Sequence, residues 1–379
     1  MAAFAGLGLL LGLARWGLEP SHASGDSFWY ARLALEARGK TDADATQLAA
    51  NFIVHEGRGT DPGVYVDLVR TIDPRYPAIF ASRPVYPLIV AGLLQFADID
   101  VAMALGALLA GAAFAVLFGG FIWRVTGSLA AAGGGVALAF ILPSGKWFAF
   151  MYADGWLFTF MVLTLALATN YLRFSRRVDL IGVGAAIGLA YLTKPANGVA
   201  LVVALVVLGM AASVIRHPQR GAAVRLGAAA ALIGVVQLAC FAVLGLPGFA
   251  TTLQDMFTLH FTFPDVSEPL PRLFARDAEV VPWLLAFPIR EPLLAFVGAG
   301  LLVPLLRWND LWRGLGLVVG LASLPVVLVH PVTSEVPRLL APIWISASLG
   351  GGLLIGRIFA VRSATRLHKV RYRPDQAAS

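Results

Sequence analysis

The stretch Val101–Trp123, VAMALGALLAGAAFAVLFGGFIW, decides the fold class. It runs for 23 residues without a charge. A helix rises 1.5 Å per residue, so this run reaches about 35 Å, beyond the ~30 Å hydrocarbon core of a bilayer. Apolar runs recur near 2–18, 127–143, 155–172, 180–194, 196–215, 226–247, 292–306, 314–330 and 339–356. Lipid offers no hydrogen-bond partners to the backbone, which favours helices for such runs. The expected architecture is an all-α polytopic membrane protein with about ten transmembrane helices, forming one membrane domain over 1–379.

The composition agrees. Of 379 residues, 58% are hydrophobic and 13% charged, against about 25% charged in a soluble domain. The mean hydropathy is +0.77. Too few charges are present to coat a water-facing surface. Segments rich in Ala, Gly, Leu and Val suit close packing between membrane helices. The single cysteine, Cys240, excludes an internal disulfide and a cysteine metal site. Its apolar setting, Ala228 to Val243, reads as that of a small buried hydrophobe.

The net charge of +7 reports topology rather than nucleic-acid binding. Arg124, the group Arg173, Arg176 and Arg177, the group Arg216, Arg220 and Arg225, and the pair Arg307 and Arg313 fall on alternate connections. The tail 357–379, with Arg357, Arg362, Arg366, Lys369, Arg371 and Arg373, falls on the same side. By the positive-inside rule that side is cytoplasmic. The opposite side holds long loops at 19–100 and 248–291, and short ones at 144–154 and 331–338. The stretch 84–97 is too short to span comfortably and reads as an interfacial or re-entrant helix. Were it a span, every later basic loop would switch sides. The first segment, 2–18, lacks a basic leader, and Ser21-His22-Ala23 resembles a small-x-small cleavage site, so a cleaved signal peptide competes with a first span there.

Candidate functional residues lie in the outer loops, where ordering a long segment implies a use. The first loop opens with Gly25-Asp26-Ser27-Phe28-Trp29-Tyr30-Ala31-Arg32. Asp26 sits at an expected helix N-cap, with Tyr30 on the same face; capping alone is one explanation of this acid. Arg83 precedes Pro84 and the interfacial helix. Asp154 opens a span, Lys194 lies between two short spans, and Arg338 follows Glu335-Val336-Pro337. Charges at membrane depth are costly and face a polar cavity or a partner. Snorkelling would explain Arg83 and Lys194, an N-cap role Asp154, and an ion pair with Glu335 the placement of Arg338. Together, one ionised acid and several outer cations suit a general base acting beside a lipid phosphate. The aromatic stretch Met256–Asp265 of the second loop reads either as an acceptor-site wall or as an amphipathic interfacial helix. His260 and His330 carry no assignment.

This arrangement resembles the GT-C superfamily of membrane glycosyltransferases that use polyprenyl-phosphate sugars, with the bacterial aminoarabinose lipid A transferase and the protein O-mannosyltransferases as the nearest likenesses. Those enzymes carry an Asp-x-x-x-Tyr-Ala pattern soon after the first span, matched by Asp26-Ser27-Phe28-Trp29-Tyr30-Ala31, and Glu36-Ala37-Arg38-Gly39 continues it. Ser82-Arg83-Pro84-Val85-Tyr86-Pro87 resembles their basic residue, proline and short apolar helix. Asp154 resembles the acid that opens their fourth span, and Thr193-Lys194 their Thr-Lys or Thr-Arg pair. The likeness covers about the first half of the chain. A departure is Ser82, which stands where those transferases have a second acid; Glu56, Asp61, Asp67 and Asp73 are the substitutes in the loop.

The resemblance implies sugar transfer from a polyprenyl-phosphate donor to a lipid, glycan or protein acceptor, with inversion, on the extracytoplasmic side. Asp26 is then the catalytic base and Arg83 and Lys194 bind the donor phosphate. Tyr30, Asp154 and Arg338 orient substrate. No cofactor and no metal are expected, and the partners are donor, acceptor and membrane lipids, without nucleic acid. The Ala-, Gly- and Arg-rich composition points to a bacterial plasma membrane and envelope glycan synthesis. A transporter and a non-catalytic lipid-binding relative are the rival readings.

Overall fold

The computed structural model describes residues 1–371, and among them the regular structure is entirely helical. The first helix, α1 (Ala2–Leu18), leads into a loop that folds as five short helices. These are α2 (Gly25–Ala37), α3 (Asp42–His55), α4 (Gly63–Thr71), α5 (Arg75–Ala81) and α6 (Val85–Leu93). The bundle continues through α7 (Ile99–Thr126), α8 (Leu129–Ile141), α9 (Asp154–Phe174), α10 (Arg177–Thr193), α11 (Pro195–Val214) and α12 (Arg220–Val243). The second loop holds α13 (Phe249–Phe257), α14 (Pro269–Leu285) and α15 (Phe287–Arg290). The chain ends with α16 (Pro292–Leu302), α17 (Leu311–Leu321), α18 (Ser323–Val329), α19 (Val336–Leu339) and α20 (Ala341–Arg371).

Six helical stretches are long and apolar enough to cross a membrane: 99–126, 154–174, 195–214, 220–243, 311–329 and 341–361. The other four expected spans fall on shorter helices, α1, α8, α10 and the α16 region. The stretch 84–97 forms the nine-residue α6, about 14 Å long and too short to cross. Beyond residue 371 the basic tail lies outside the described residues.

Local signals explain several ends. Asp98 accepts from the Val101 N–H at 3.0 Å and starts α7, and Gly127 closes it at φ 69°. Ser128 caps α8 through the Ala131 N–H at 3.1 Å. Helices α8 and α20 pack at glycine contacts: a Cβ on Gly352 would come within 2.7 Å of the Ala131 carbonyl oxygen and 3.1 Å of Gly135 Cα. Lipid-embedded helices attract mainly through such close packing.

The first loop builds its own core, distinct from that of the bundle. Phe28, Trp29, Tyr30, Phe52, Phe80 and Tyr86 are buried together there, with Tyr30 crossing the Phe80 and Tyr86 rings edge to face at 5.6 and 5.5 Å. Tyr86 Oη donates to the Met103 carbonyl at 2.9 Å and ties this core to α7. Cys240, expected to be buried, is exposed. It lies on α12, which shows much apolar surface outward, and an apolar side chain facing lipid reads in sequence like one facing protein.

Candidate functional site

Asp26 and Asp154 lie 128 residues apart, and the short segment before α9 brings them together. Ser27 Oγ donates to the Met151 carbonyl at 3.1 Å, and the Met151 N–H donates to the His22 carbonyl at 2.8 Å. Tyr152 Oη donates to Ser24 Oγ. The start of α2 is therefore fastened to residues 151–152, two to three positions before Asp154.

Ser24, not Asp26, is the N-cap of α2, its N–H bound by Ser27 Oγ at 3.1 Å. Asp26 lies two residues inside the helix, leaving its carboxylate for a distant partner. Asp154 is the first residue of α9 after the N-cap Ala153 and makes no cap either. Both acids meet Arg338 of α19. Its Nη2 donates to Asp26 Oδ2 at 2.9 Å and to Asp154 Oδ2 at 2.9 Å, while its Nε donates to Asp154 Oδ2 at 3.0 Å. Lys194, between α10 and α11, donates from Nζ to Asp154 Oδ1 at 2.6 Å. Asp154 is thus held on both oxygens. The expected contact of Arg338 with Glu335 is present at 3.3 Å but is one of three. Lys194 does not snorkel: its side chain is 11% exposed and paired.

At the buried centre of this cluster are two acids, Asp26 and Asp154, and two cations, Arg338 and Lys194, with the more exposed Glu335 a third acid at the edge. Taking one partner out of such a buried set leaves an uncompensated charge, typically costing about 3–5 kcal/mol. Burial pushes the Asp26 carboxyl up, but the charges of Arg338, Lys194 and Arg83 outweigh burial and hold it below the ordinary carboxylate value. Burial likewise works against the Arg338 charge, and Asp154 and Asp26 outweigh it, so the guanidinium stays a cation. It also stacks over the Tyr152 ring at 4.4 Å.

Arg83 is the cation left over. Its charge reaches Asp26, it lies over the Phe80 ring at 5.6 Å, and its buried Nε has no hydrogen-bond partner. Tyr30 Oη, one helical turn after Asp26, is also buried without a partner, and burial pushes this phenol up to about 12. Unpaired buried polar atoms are rare and call for a reason, such as a ligand. Beside the cluster opens a cavity of about 570 Å³ whose lining includes Arg15, Arg58, Lys146, Trp147, Tyr152 and Arg338. Lys146 sits over the Trp147 and Phe150 rings at 5.5 and 4.9 Å.

The two cations expected to hold a donor phosphate are therefore in different states: Lys194 is bound to Asp154, whereas Arg83 retains a free donor. None of the four candidate second acids joins Arg338. Asp61 binds the Gly63 N–H, Asp67 pairs with Arg70, Asp73 pairs with Arg75, and Glu56 lies near His55 and Asp100. The acid beside Asp26 is Asp154. His55, Glu56 and Asp100 bring three ligand atoms within 4.8 Å of one another, a group that sequence spacing did not reveal because Asp100 is 44 positions past Glu56.

The second loop closes over the first. Arg75 donates from Nη1 and Nη2 to the two oxygens of Asp265 at 2.7 and 3.0 Å, and His260 lies 4.4 Å from the Tyr76 ring and 3.0 Å from Asp255. Leu259, His260 and Phe261 all have positive φ, 48°, 62° and 62°, a conformation costing L-residues roughly 1–2 kcal/mol each.

A scan against protein-family models and a search of curated proteins find no match to this chain.

Proposed function

We propose that the chain is a polytopic membrane glycosyltransferase that moves a sugar from a polyprenyl-phosphate donor to an envelope acceptor. The observation that carries this reading is the sharing of Arg338 by Asp26 and Asp154, with Arg83 partly unpaired and Arg338 also on the wall of a cavity that holds Arg15, Arg58, Lys146 and Glu335. The resemblance of Asp26–Ala31 and Ser82–Pro87 to polyprenyl-phosphate-dependent transferases supplies the substrate class.

In the proposed reaction the acceptor hydroxyl attacks the anomeric carbon as the bond from that carbon to the phosphate oxygen breaks. The hydroxyl proton passes to Asp26, and the electron pair leaves with the polyprenyl phosphate. Arg83 stabilises the charge developing on that phosphate, an electrostatic role. Lys194 and Arg338 hold Asp154 in place, and Tyr30 and Asp154 orient the reacting groups. Because Asp26 is held ionised, it is ready to accept a proton. A single displacement inverts the anomeric centre. Ten spans, an extracytoplasmic site and a bacterial plasma-membrane location belong to this proposal.

The test is to reconstitute the full chain in vesicles and supply polyprenyl-phosphate sugars. Release of polyprenyl phosphate with glycosylation of an added acceptor supports the reading. Uptake of a solute without transfer would replace it with a transporter, and donor binding without turnover with a non-catalytic lipid-binding protein.

A further inference from the structure

The larger cavity, about 810 Å³, lies far from Asp26. It opens between the end of α9, the turn joining α11 to α12, and residues 308–312 before α17. Arg173 on its wall follows Asp154 by 19 positions of one helix, about 28 Å along the axis. The cavity is thus at the opposite end of the bundle, where the basic connections gather.

Its wall includes Arg173, Arg216, His217, Gln219, Trp308 and Trp312. Among the described residues neither Arg173 nor Arg216 has an ion-pair partner, and both are exposed. Asp310, also on the wall, is paired with Arg313 at 3.2 Å. Two positive charges are left in surplus. The wall is fixed by hydrogen bonds: the Gln219 N–H donates to His217 Nδ1 at 3.0 Å, His217 Nε2 lies 3.3 Å from the Asn309 carbonyl, and Gln219 Nε2 donates to the Leu172 carbonyl at 3.2 Å.

Arg216 is a second, independent pointer. It follows α11 in the left-handed region, φ 53°, and the His217 N–H closes the turn on the Ala212 carbonyl at 2.9 Å. Glycine is the cheapest residue for that conformation, and α7 ends on it, at Gly127. At Arg216 a long cation occupies the glycine position, on the wall of a cavity with no carboxylate paired to it.

We propose that this cavity binds the phosphodiester of an anionic phospholipid headgroup through Arg173 and Arg216. Guanidinium groups match phosphate oxygens in a fork geometry. Basic pockets between membrane helices accept such headgroups, and the half-buried Trp308 on the wall is of the residue type that favours a membrane–water boundary. A soluble phosphodiester or phosphate ion offers the same oxygens, and the experiment separates these sources. The site stands apart from the proposed sugar transfer.

The test uses the full chain, delipidated in detergent, with thermal unfolding followed after adding phosphatidylglycerol, phosphatidylcholine, sodium phosphate or glycerophosphoglycerol. Phosphatidylglycerol should raise Tm by roughly 3 °C or more, and the other three probes by less than about a third of that. Arg216→Gly removes the left-handed strain, so its lipid-free Tm should match or exceed that of the unaltered chain while its phosphatidylglycerol shift falls by about half or more. Arg173→Ala should lose the shift similarly. Equal shifts with phosphatidylcholine, no shift with any probe, or full shifts in both variants would overturn the proposal, as would an Arg216→Gly chain that fails to fold. Soluble phosphates acting as strongly as phosphatidylglycerol would overturn the lipid source.

Discussion

Arg338 Nη2 lies 2.9 Å from Asp26 Oδ2, joining residues 312 positions apart in the sequence. The same nitrogen lies 2.9 Å from Asp154 Oδ2, so one guanidinium positions both acids. With side chains 10%, 25% and 2% exposed, Arg338, Asp26 and Asp154 form a largely desolvated set. This contact ties the first loop to the final third of the chain, and the Arg338 charge is the largest of those that lower Asp26.

Replacing Arg338 by Met removes the cation and leaves two carboxylates facing each other. The expected loss is about 3–5 kcal/mol of stability, read as a lowered unfolding temperature in detergent. Arg338→Lys keeps the charge but not the fork, and recovers part of that loss. Unchanged unfolding of Arg338→Met would contradict the cluster.

Asp154 and Lys194 form the shortest ion pair in the site, at 2.6 Å. Asp154→Asn and Lys194→Met each leave one charge unmatched, at about 3–5 kcal/mol. The double variant should be more stable than the sum of the singles implies, by about 1–3 kcal/mol. Additive losses would show that the two side chains are uncoupled.

The charges that gather around Arg338 stood out in the sequence; how they pair did not. Asp26, Arg83, Asp154, Lys194 and Arg338 stand out as charges bordering apolar segments. No local spacing joins Asp26 to Arg338, because the contact depends on how α2 and α19 sit on the bundle. Asp26 reads as an N-cap because Asp often caps; Ser24, two residues earlier, takes that place and frees the carboxylate. Cys240 shows why burial is the weaker inference in a membrane protein: hydropathy does not distinguish lipid from protein surroundings. The long apolar runs, such as Val101–Trp123, are plain because they have no other solution in a bilayer. The left-handed turn Leu259–Phe261 has no glycine to announce it.

Asp26 has a depressed folded value, so its contribution to stability is fully present above its unfolded value of about 3.9 and is lost as pH falls through the folded value. Sugar transfer should therefore show no acid limb from Asp26 between about pH 5 and 7. A limb in that window that disappears in Asp26→Asn would contradict the electrostatics described here.

His260 behaves in the opposite sense. Its hydrogen bond to Asp255 raises its folded value above the ordinary histidine range. The stabilisation is present below about pH 6.5 and is lost as pH rises through the folded value. Protease cleavage within the second loop should increase from pH 6 to pH 8.5 in the unaltered chain. In His260→Gln the cleavage rate should be nearly independent of pH over that range; an equal rise in both would place the pH response elsewhere.

The most direct measurement of the central claim compares the unaltered chain with Asp26→Asn in vesicles, using a polyprenyl-phosphate sugar that the unaltered chain consumes, and records transfer rate and donor affinity separately. Removing a general base should slow transfer by about 10²-fold or more while donor affinity changes by less than about threefold, because Arg83 and not Asp26 is assigned to the phosphate. Transfer by Asp26→Asn at the unaltered rate would contradict the account.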